Sequence, residues 1–299
     1  MWKKIGNIFN ECHAQVPVID TTNDGFWRVY YSTRVEGKSV PMYFDVIAGE
    51  PEKIIYNHLT PILELGEYGT FDQAGIMPTD IITLESGVKY LYYIGWTNRL
   101  DVPYHNTIGL AISNNGGKTF KKFSTGPILG TSHREPGFVG TISVMKNGNK
   151  WLGWYLSCIK WEKINNKLES FYNIKLALSN NGIDWEPTGH ICIPLKENEG
   201  GLSQASVIKE NNIFKMWFSY RGFLNYRNNK KNSYRIGYAE SIDGKSWERK
   251  EGPELNISPE GWDSEMVCYP YIFTYNKNKY MFYNGNGFGK TGIGYAINR

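Results

Sequence analysis

The 299-residue chain is short of several things. Its four cysteines, Cys12, Cys158, Cys192 and Cys268, are scattered, with no Cys-x-x-Cys pair and no histidine pair beside them. That argues against a structural zinc site and gives no support to a secreted disulfide framework, so reduced and mostly buried thiols are expected. No window approaches the roughly 18 apolar residues of a membrane helix. Residues 1–10 lack the apolar run of a signal peptide. A soluble, cytoplasmic protein without a membrane span is expected. An excess of one charge is also missing. Against 33 basic residues stand 29 acidic ones, a formal net charge of +4, which excludes a nucleic-acid binder working by bulk electrostatics. Helical periodicity is weak and no low-complexity linker divides the chain.

Aromatics and glycine are abundant: 10 Trp, 21 Tyr and 14 Phe beside 32 Gly. Aromatic rings suit a pleated, half-buried surface and glycine suits tight turns, so the composition points to β structure. Five aromatic-rich segments read alike, at 26–34, 88–96, 149–157, 213–221 and 278–286, a recurrence of about 61 to 65 residues. That period fits large propeller blades. Each segment follows a shorter apolar one (16–19, 77–84, 140–145, 205–209 and 269–275) and precedes a third (40–46, 107–113, 173–179, 235–241 and 292–298). In units two to four a Ser-Asn/Ile-Asn/Asp-Gly turn and an outer strand come next, at 113–120, 179–185 and 241–247. The polar side chain closes such a turn on the backbone and glycine accepts its positive φ. The last unit runs out of chain after three strands, while Trp2-Lys3-Lys4 resembles the outer strands Trp185-Glu186-Pro187 and Trp247-Glu248-Arg249.

The expected fold is therefore all-β: one domain, 1–299, a five-bladed β-propeller of four-stranded antiparallel blades. Blades are expected at about 11–57, 72–124, 135–188, 199–251 and 263–299 plus 1–9, the last closed by the N-terminal strand. Closure removes exposed sheet edges. Starts of inner strands, ends of second strands and the loops after them share one face of such a fold. That face collects Glu11 and His13, Glu67 and Asp72, His133, Arg134 and Glu135, Glu199, and Asp263 and Glu265. Arg34, Trp96, Arg221, Asn284 and Asn286 stand at second-strand ends. The following loops add Tyr104, His105, Trp161, Tyr172, Tyr226, Arg227 and Tyr234. Carboxylates perform acid/base chemistry or bind hydroxyls, aromatics stack on sugar rings, and arginines suit an anionic group.

Several stretches carry a resemblance over essentially the whole chain. They include Tyr92-Tyr93-Ile94-Gly95-Trp96, His133-Arg134-Glu135-Pro136, Trp262-Asp263-Ser264-Glu265 and Tyr283-Asn284-Gly285-Asn286-Gly287. On these the sequence resembles the five-bladed propellers of the arabinanase, levansucrase and invertase superfamily, which are glycoside hydrolase family 43/32-like. It looks like an uncharacterised bacterial branch often encoded with polysaccharide-biosynthesis genes. The superfamily's hydrolases use three acids at inner-strand starts as base or nucleophile, pKa modulator and general acid. Arg134-Glu135-Pro136 is similar to the modulator's Arg-Asp-Pro pattern. The first blade reads Cys12-His13-Ala14-Gln15-Val16-Pro17 instead of the usual acid motif.

The resemblance implies an enzyme that cleaves or transfers a glycosyl group on a carbohydrate, anionic sugars being among the candidates, with Asp72, Glu135, Asp263 and Glu265 as catalytic carboxylates. Substrate contacts would come from His13, Arg34, Trp96, Tyr104, His133, Arg134, Tyr172, Arg221, Tyr234 and Asn284. The alternative is a non-catalytic propeller binding a sugar, oligosaccharide or nucleotide sugar in surface-polysaccharide biosynthesis. No cofactor or metal ligand is expected from the residues, although some relatives hold an axial calcium.

Overall fold

A computed structural model describes residues 2–11 and 13–298. Strand β1 (Lys3–Phe9) opens the chain, which then runs through a series of meanders. The first is β2 (Gln15–Asp20), β3 (Phe26–Val35), β4 (Lys38–Ile47) and β5 (Glu50–Asn57). The second is β6 (Gly75–Thr83), β7 (Lys89–Asn98), β8 (Tyr104–Ser113) and the short β9 (Lys121–Lys122). Next come β10 (Val139–Asn147), β11 (Lys150–Ile164), β12 (Lys167–Ser179) and β13 (Trp185–Ile193). They are followed by β14 (Glu199–Glu210), β15 (Ile213–Gly222), β16 (Arg235–Ser241) and the short β17 (Glu248–Arg249). The chain ends with β18 (Cys268–Tyr275), β19 (Asn278–Asn284) and β20 (Ile293–Asn298).

Within each meander consecutive strands pair antiparallel. In the last, β1 pairs with β20, Lys3 opposite Ile297 and Lys4 opposite Ala296, so the N-terminal strand takes the outer place. Single parallel contacts, Ser39 with Gly75 and Tyr172 with Gly201, join neighbouring meanders. Among the described residues no helix is long and apolar enough to cross a membrane.

The hairpins follow from their turn residues. Glu36–Gly37, Asn165–Asn166, Asn211–Asn212 and Asn276–Lys277 each place two successive residues at positive φ. That geometry matches the right-handed twist of the flanking strands. The Asn165–Asn166 turn extends β11 and β12 well past their neighbours, so the loop expected around Trp161 is a hairpin arm.

The Ser-Asn/Asp-Gly turns are structural, as expected. Ser113, Ser179 and Ser241 accept the backbone N–H of Gly117, Gly182 and Gly244 at 3.0, 2.9 and 2.8 Å. Each turn then offers a glycine carbonyl to an aromatic of the preceding meander. Tyr30 donates to Gly117 at 2.9 Å, Tyr92 to Gly182 at 2.8 Å and Trp154 to Gly244 at 2.7 Å. The second-strand aromatics therefore bury their rings between meanders and still satisfy their polar tips.

The inner strands share a bulge. Register shifts fall between Gln15 and Val18, Pro78 and Asp80, Val139 and Ile142, Ser203 and Ser206, and Cys268 and Tyr271. Just beyond it, side chains stitch successive inner strands. Asp80 accepts Val144 N–H at 2.6 Å, Ser143 accepts Val207 N–H at 3.2 Å and Ser206 accepts Ile272 N–H at 2.9 Å. Tyr271 completes the series by donating to Asp80 at 3.2 Å, from β18 back to β6.

Burial pushes the Asp80 carboxyl up to about 7 against these hydrogen bonds. The folded chain then holds this proton to about pH 7, the unfolded chain only to about pH 4. The stability linked to it is complete below about pH 4 and is lost as pH rises toward about 7. Urea unfolding across that window should show wild type losing stability relative to Asp80→Asn; parallel profiles would contradict the assignment.

Candidate functional site

The carboxylates at the inner-strand starts are engaged inside their own meanders. Asp72, Glu135 and Asp263 are only 1%, 1% and 2% exposed. Asp72 pairs with Lys122 of β9 at 2.7 Å and accepts the Tyr93 hydroxyl at 3.1 Å. Glu135 takes Lys175 of β12 at 2.9 Å, Tyr155 at 2.7 Å and the Ser157 hydroxyl in a short bond. Asp263 pairs with Lys4 of β1 at 2.6 Å and accepts Tyr283 at 3.0 Å. Glu199 repeats the theme with Arg249 of β17 at 2.5 Å, whose guanidinium also lies over the Phe218 ring.

Burial and the adjoining carboxylate push the Tyr93, Tyr155 and Tyr283 hydroxyls far above their ordinary value, which keeps them donors. The fourth expected catalytic acid, Glu265, is exposed, and its backbone N–H donates to Asn286 at 2.7 Å. Asp72, Glu135 and Asp263 are thus held in ion pairs, while Glu265 stands at the surface. A buried carboxylate must be paired, and here a lysine of the same meander is the partner.

A cavity of about 340 Å³ opens instead among the inner-strand starts and the long loops. Trp96, Tyr104, Phe138, Tyr172, Tyr226, Tyr234, Tyr269 and Phe288 wall it, with Arg34, Arg227, Gln15, Asn106, Thr141 and Ser203 as its polar contributors. Among the described residues no carboxylate lines it. Arg34 is exposed at the mouth, its guanidinium 5.3 Å from the Trp96 ring centre. Arg227 is balanced by Glu169 at 2.9 Å.

Three lining residues stand in the left-handed region: Val16 at φ 54°, Tyr269 at φ 56° and Phe288 at φ 61°. For a β-branched or bulky residue this is costly and needs support from its surroundings. Val16 N–H is held by the Asn284 amide oxygen at 2.7 Å, and Tyr269 N–H by the Ser219 hydroxyl at 2.8 Å.

Of the expected substrate contacts, Arg34, Trp96, Tyr104, Tyr172 and Tyr234 come together around the cavity, and Arg221 lies directly behind Tyr172. Asn284 does not line it. Its amide is used up on the Ala14 and Gly292 carbonyls at 2.6 and 2.9 Å and on Val16. His13, His133 and Arg134 are likewise outside the lining; Arg134 is exposed and donates to the Pro187 carbonyl at 2.8 Å.

Gln15, Phe138, Tyr269 and Phe288 were not singled out from the sequence. The bulge that turns Gln15 and Tyr269 toward the cavity breaks the strict alternation by which strand faces are read. Cys158, Cys192 and Cys268 are free and buried, and burial raises their thiols. Cys12 lies outside the described residues. Among the described residues no group of three or more His, Cys, Asp or Glu side chains is arranged to hold a metal ion.

No family profile matches the chain. "Uncharacterized protein Rv1502" of Mycobacterium tuberculosis (strain ATCC 25618 / H37Rv) is 30% identical over 308 residues, covering 99% of this chain and 98% of the relative. The chain belongs to that family. "Uncharacterized protein MT1551", from a second M. tuberculosis strain, matches to the same extent.

Among solved structures, the fold superposes with a TM-score of 0.74 and 15% identity on a glycoside hydrolase, covering 100% of this chain and 92% of that one. A thermostable family-43 glycoside hydrolase gives 0.71 and 16%, over 97% and 92%. The Bombyx mori GH32 beta-fructofuranosidase BmSUC1 gives 0.67 and 14%, over 96% and 62%. The resemblance read from the sequence therefore holds at the level of fold: this is the all-β propeller architecture of family 43 and family 32 glycoside hydrolases.

The buried acids give a direct test. Glu135→Gln leaves the Lys175 ammonium without its counter-charge and should cost about 3 kcal/mol in urea unfolding. An unchanged midpoint would remove Glu135 from a structural role.

Proposed function

We propose that this family member is a five-bladed propeller whose axial cavity binds the end of an oligosaccharide, and that it holds the sugar without hydrolysing it. The observation that carries this reading is a cavity walled by aromatic rings and polar groups with, among the described residues, no carboxylate in its lining. Rings present flat apolar faces, and a few placed polar atoms fix orientation, which is how a concave site takes a small polar ligand.

Glycoside hydrolysis needs two carboxyl groups flanking the scissile bond, about 5 to 9.5 Å apart. Asp72, Glu135 and Asp263, which the resemblance offers for that task, are held in ion pairs. Trp96 also borders a second concavity of about 880 Å³, whose rim carries the almost fully exposed Tyr68. A sugar chain leaving the cavity past Trp96 therefore meets another exposed ring, which favours an oligosaccharide over a lone monosaccharide. A cytoplasmic ligand from polysaccharide assembly fits the branch that the sequence resembles.

A glycan array followed by calorimetric titration tests the reading. Wild type should bind, and Trp96→Ala should weaken binding roughly tenfold, in line with the loss of one well-packed aromatic contact. Turnover of aryl glycosides by wild type that vanishes in a folded Glu135→Gln variant would replace this reading with an enzymatic one.

A further inference from the structure

The wall of the axial cavity conceals a cation without an anion. Among the described residues Arg28, Lys89, Lys175 and Arg221 are the buried basic side chains. The first three each hold a carboxylate: Asp45 at 2.8 Å, Asp20 at 2.6 Å and Glu135 at 2.9 Å. Arg221, 1% exposed, holds none among the described residues. Its guanidinium donates to the Tyr172 hydroxyl oxygen at 2.9 Å and to the Ser170 and Gly222 carbonyls at 2.8 and 3.0 Å, and it lies 3.7 Å from the centre of the Tyr226 ring. Burying a charge is costly unless a counter-charge is near, and neutral oxygens and a ring only partly meet that need.

Tyr172 passes this charge to the cavity. Its oxygen accepts from Arg221 and also shares a short hydrogen bond with the Tyr234 hydroxyl. Whichever tyrosine donates to the other, one O–H of the pair is left for a third acceptor. Burial keeps the Tyr234 hydroxyl protonated, far above its ordinary range. Both rings line the cavity, and a chain of hydrogen bonds polarised by a guanidinium strengthens its terminal donor.

The same cavity holds an unmatched acceptor. Gln15, 7% exposed, donates its amide nitrogen to the Phe288 carbonyl at 2.9 Å, which fixes the amide, while its Oε1 is buried without a partner among the described residues. Buried polar atoms in this condition are uncommon and call for an explanation.

Resting on the carbohydrate reading above, we propose that the cavity selects an acidic sugar. A carboxylate or phosphate oxygen of the ligand accepts the spare O–H of the Tyr172–Tyr234 pair and supplies the negative charge that Arg221 lacks. A ring hydroxyl of the same ligand donates to Gln15 Oε1. The exposed Arg34 at the mouth adds attraction for the approaching anion.

Calorimetric titration of the full chain with glucuronic and galacturonic acid, glucose 1-phosphate and galactose 1-phosphate, and neutral glucose and galactose tests this. At least one acidic sugar should bind roughly tenfold or more tightly than its neutral parent, and the uronate and phosphate arms tell which anion is chosen. Substituting both tyrosines, Tyr172→Phe with Tyr234→Phe, removes the spare O–H altogether and should bring the acidic sugar down to the affinity of its neutral parent. Gln15→Glu, of equal size, should weaken the acidic sugar more than the neutral one, and it carries the test if the double tyrosine variant does not fold. Neutral sugars binding wild type as tightly as acidic ones would overturn the proposal and leave the carbohydrate reading standing. Absence of binding by every one of these sugars would also overturn the proposal, and the glycan array decides the carbohydrate reading separately.

Discussion

A carboxylate taken out of water needs a cation beside it, and that requirement organises this molecule. Asp72, Glu135, Glu199 and Asp263 stand at equivalent inner-strand starts and each meets a lysine or arginine from a third or outer strand of its own meander. Three of the four bonds reach an outer strand, so each ties the innermost and outermost parts of a meander together. In the last meander the cation is Lys4, at the opposite end of the chain from Asp263. The same interaction that stabilises each meander thus also fastens the N-terminal strand where β20 would otherwise present an open edge.

The consequence for the site is electrostatic. With these acids in ion pairs, the cavity is left with an aromatic lining in which Arg34 and Arg227 are the charged members and Arg221 stands behind Tyr172. Neighbouring glycoside hydrolases show that the architecture supports sugar chemistry, but a fold fixes where a pocket lies and not what its side chains do. Here the inner-strand bulges set the pocket's detail. Val16 and Tyr269 are held there in left-handed conformations by hydrogen bonds that their backbone N–H groups donate to Asn284 and Ser219, and such strain survives only where the surroundings over-determine it.

Much of the fold was legible in the sequence because its signals are local. The second-strand segments expected at 26–34 and 213–221 correspond to β3 (Phe26–Val35) and β15 (Ile213–Gly222), and the outer-strand likeness of Trp2-Lys3-Lys4 matches the pairing of β1 with β20. The site was legible only in part. Arg34, Trp96, Tyr104, Tyr172 and Tyr234 fall around the cavity because they sit at strand ends and loops of one face. The ion pairs of the acids were not legible because their partners are remote in sequence: Lys122 lies fifty residues beyond Asp72, and Lys4 at the other end of the chain from Asp263. Nothing local distinguishes a strand-start acid facing substrate from one facing a lysine. Gln15 escaped notice for the complementary reason, since it lies in an apolar stretch whose facing is reversed by a bulge.

The most direct test of the whole account is a crystal structure of the protein grown with an acidic oligosaccharide. The account predicts a sugar ring bounded by Trp96, Tyr172 and Tyr234, with its anionic group on the tyrosine pair and Asp72, Glu135 and Asp263 still joined to Lys122, Lys175 and Lys4. A sugar lying against those three carboxylates, with their ion pairs opened, would contradict it.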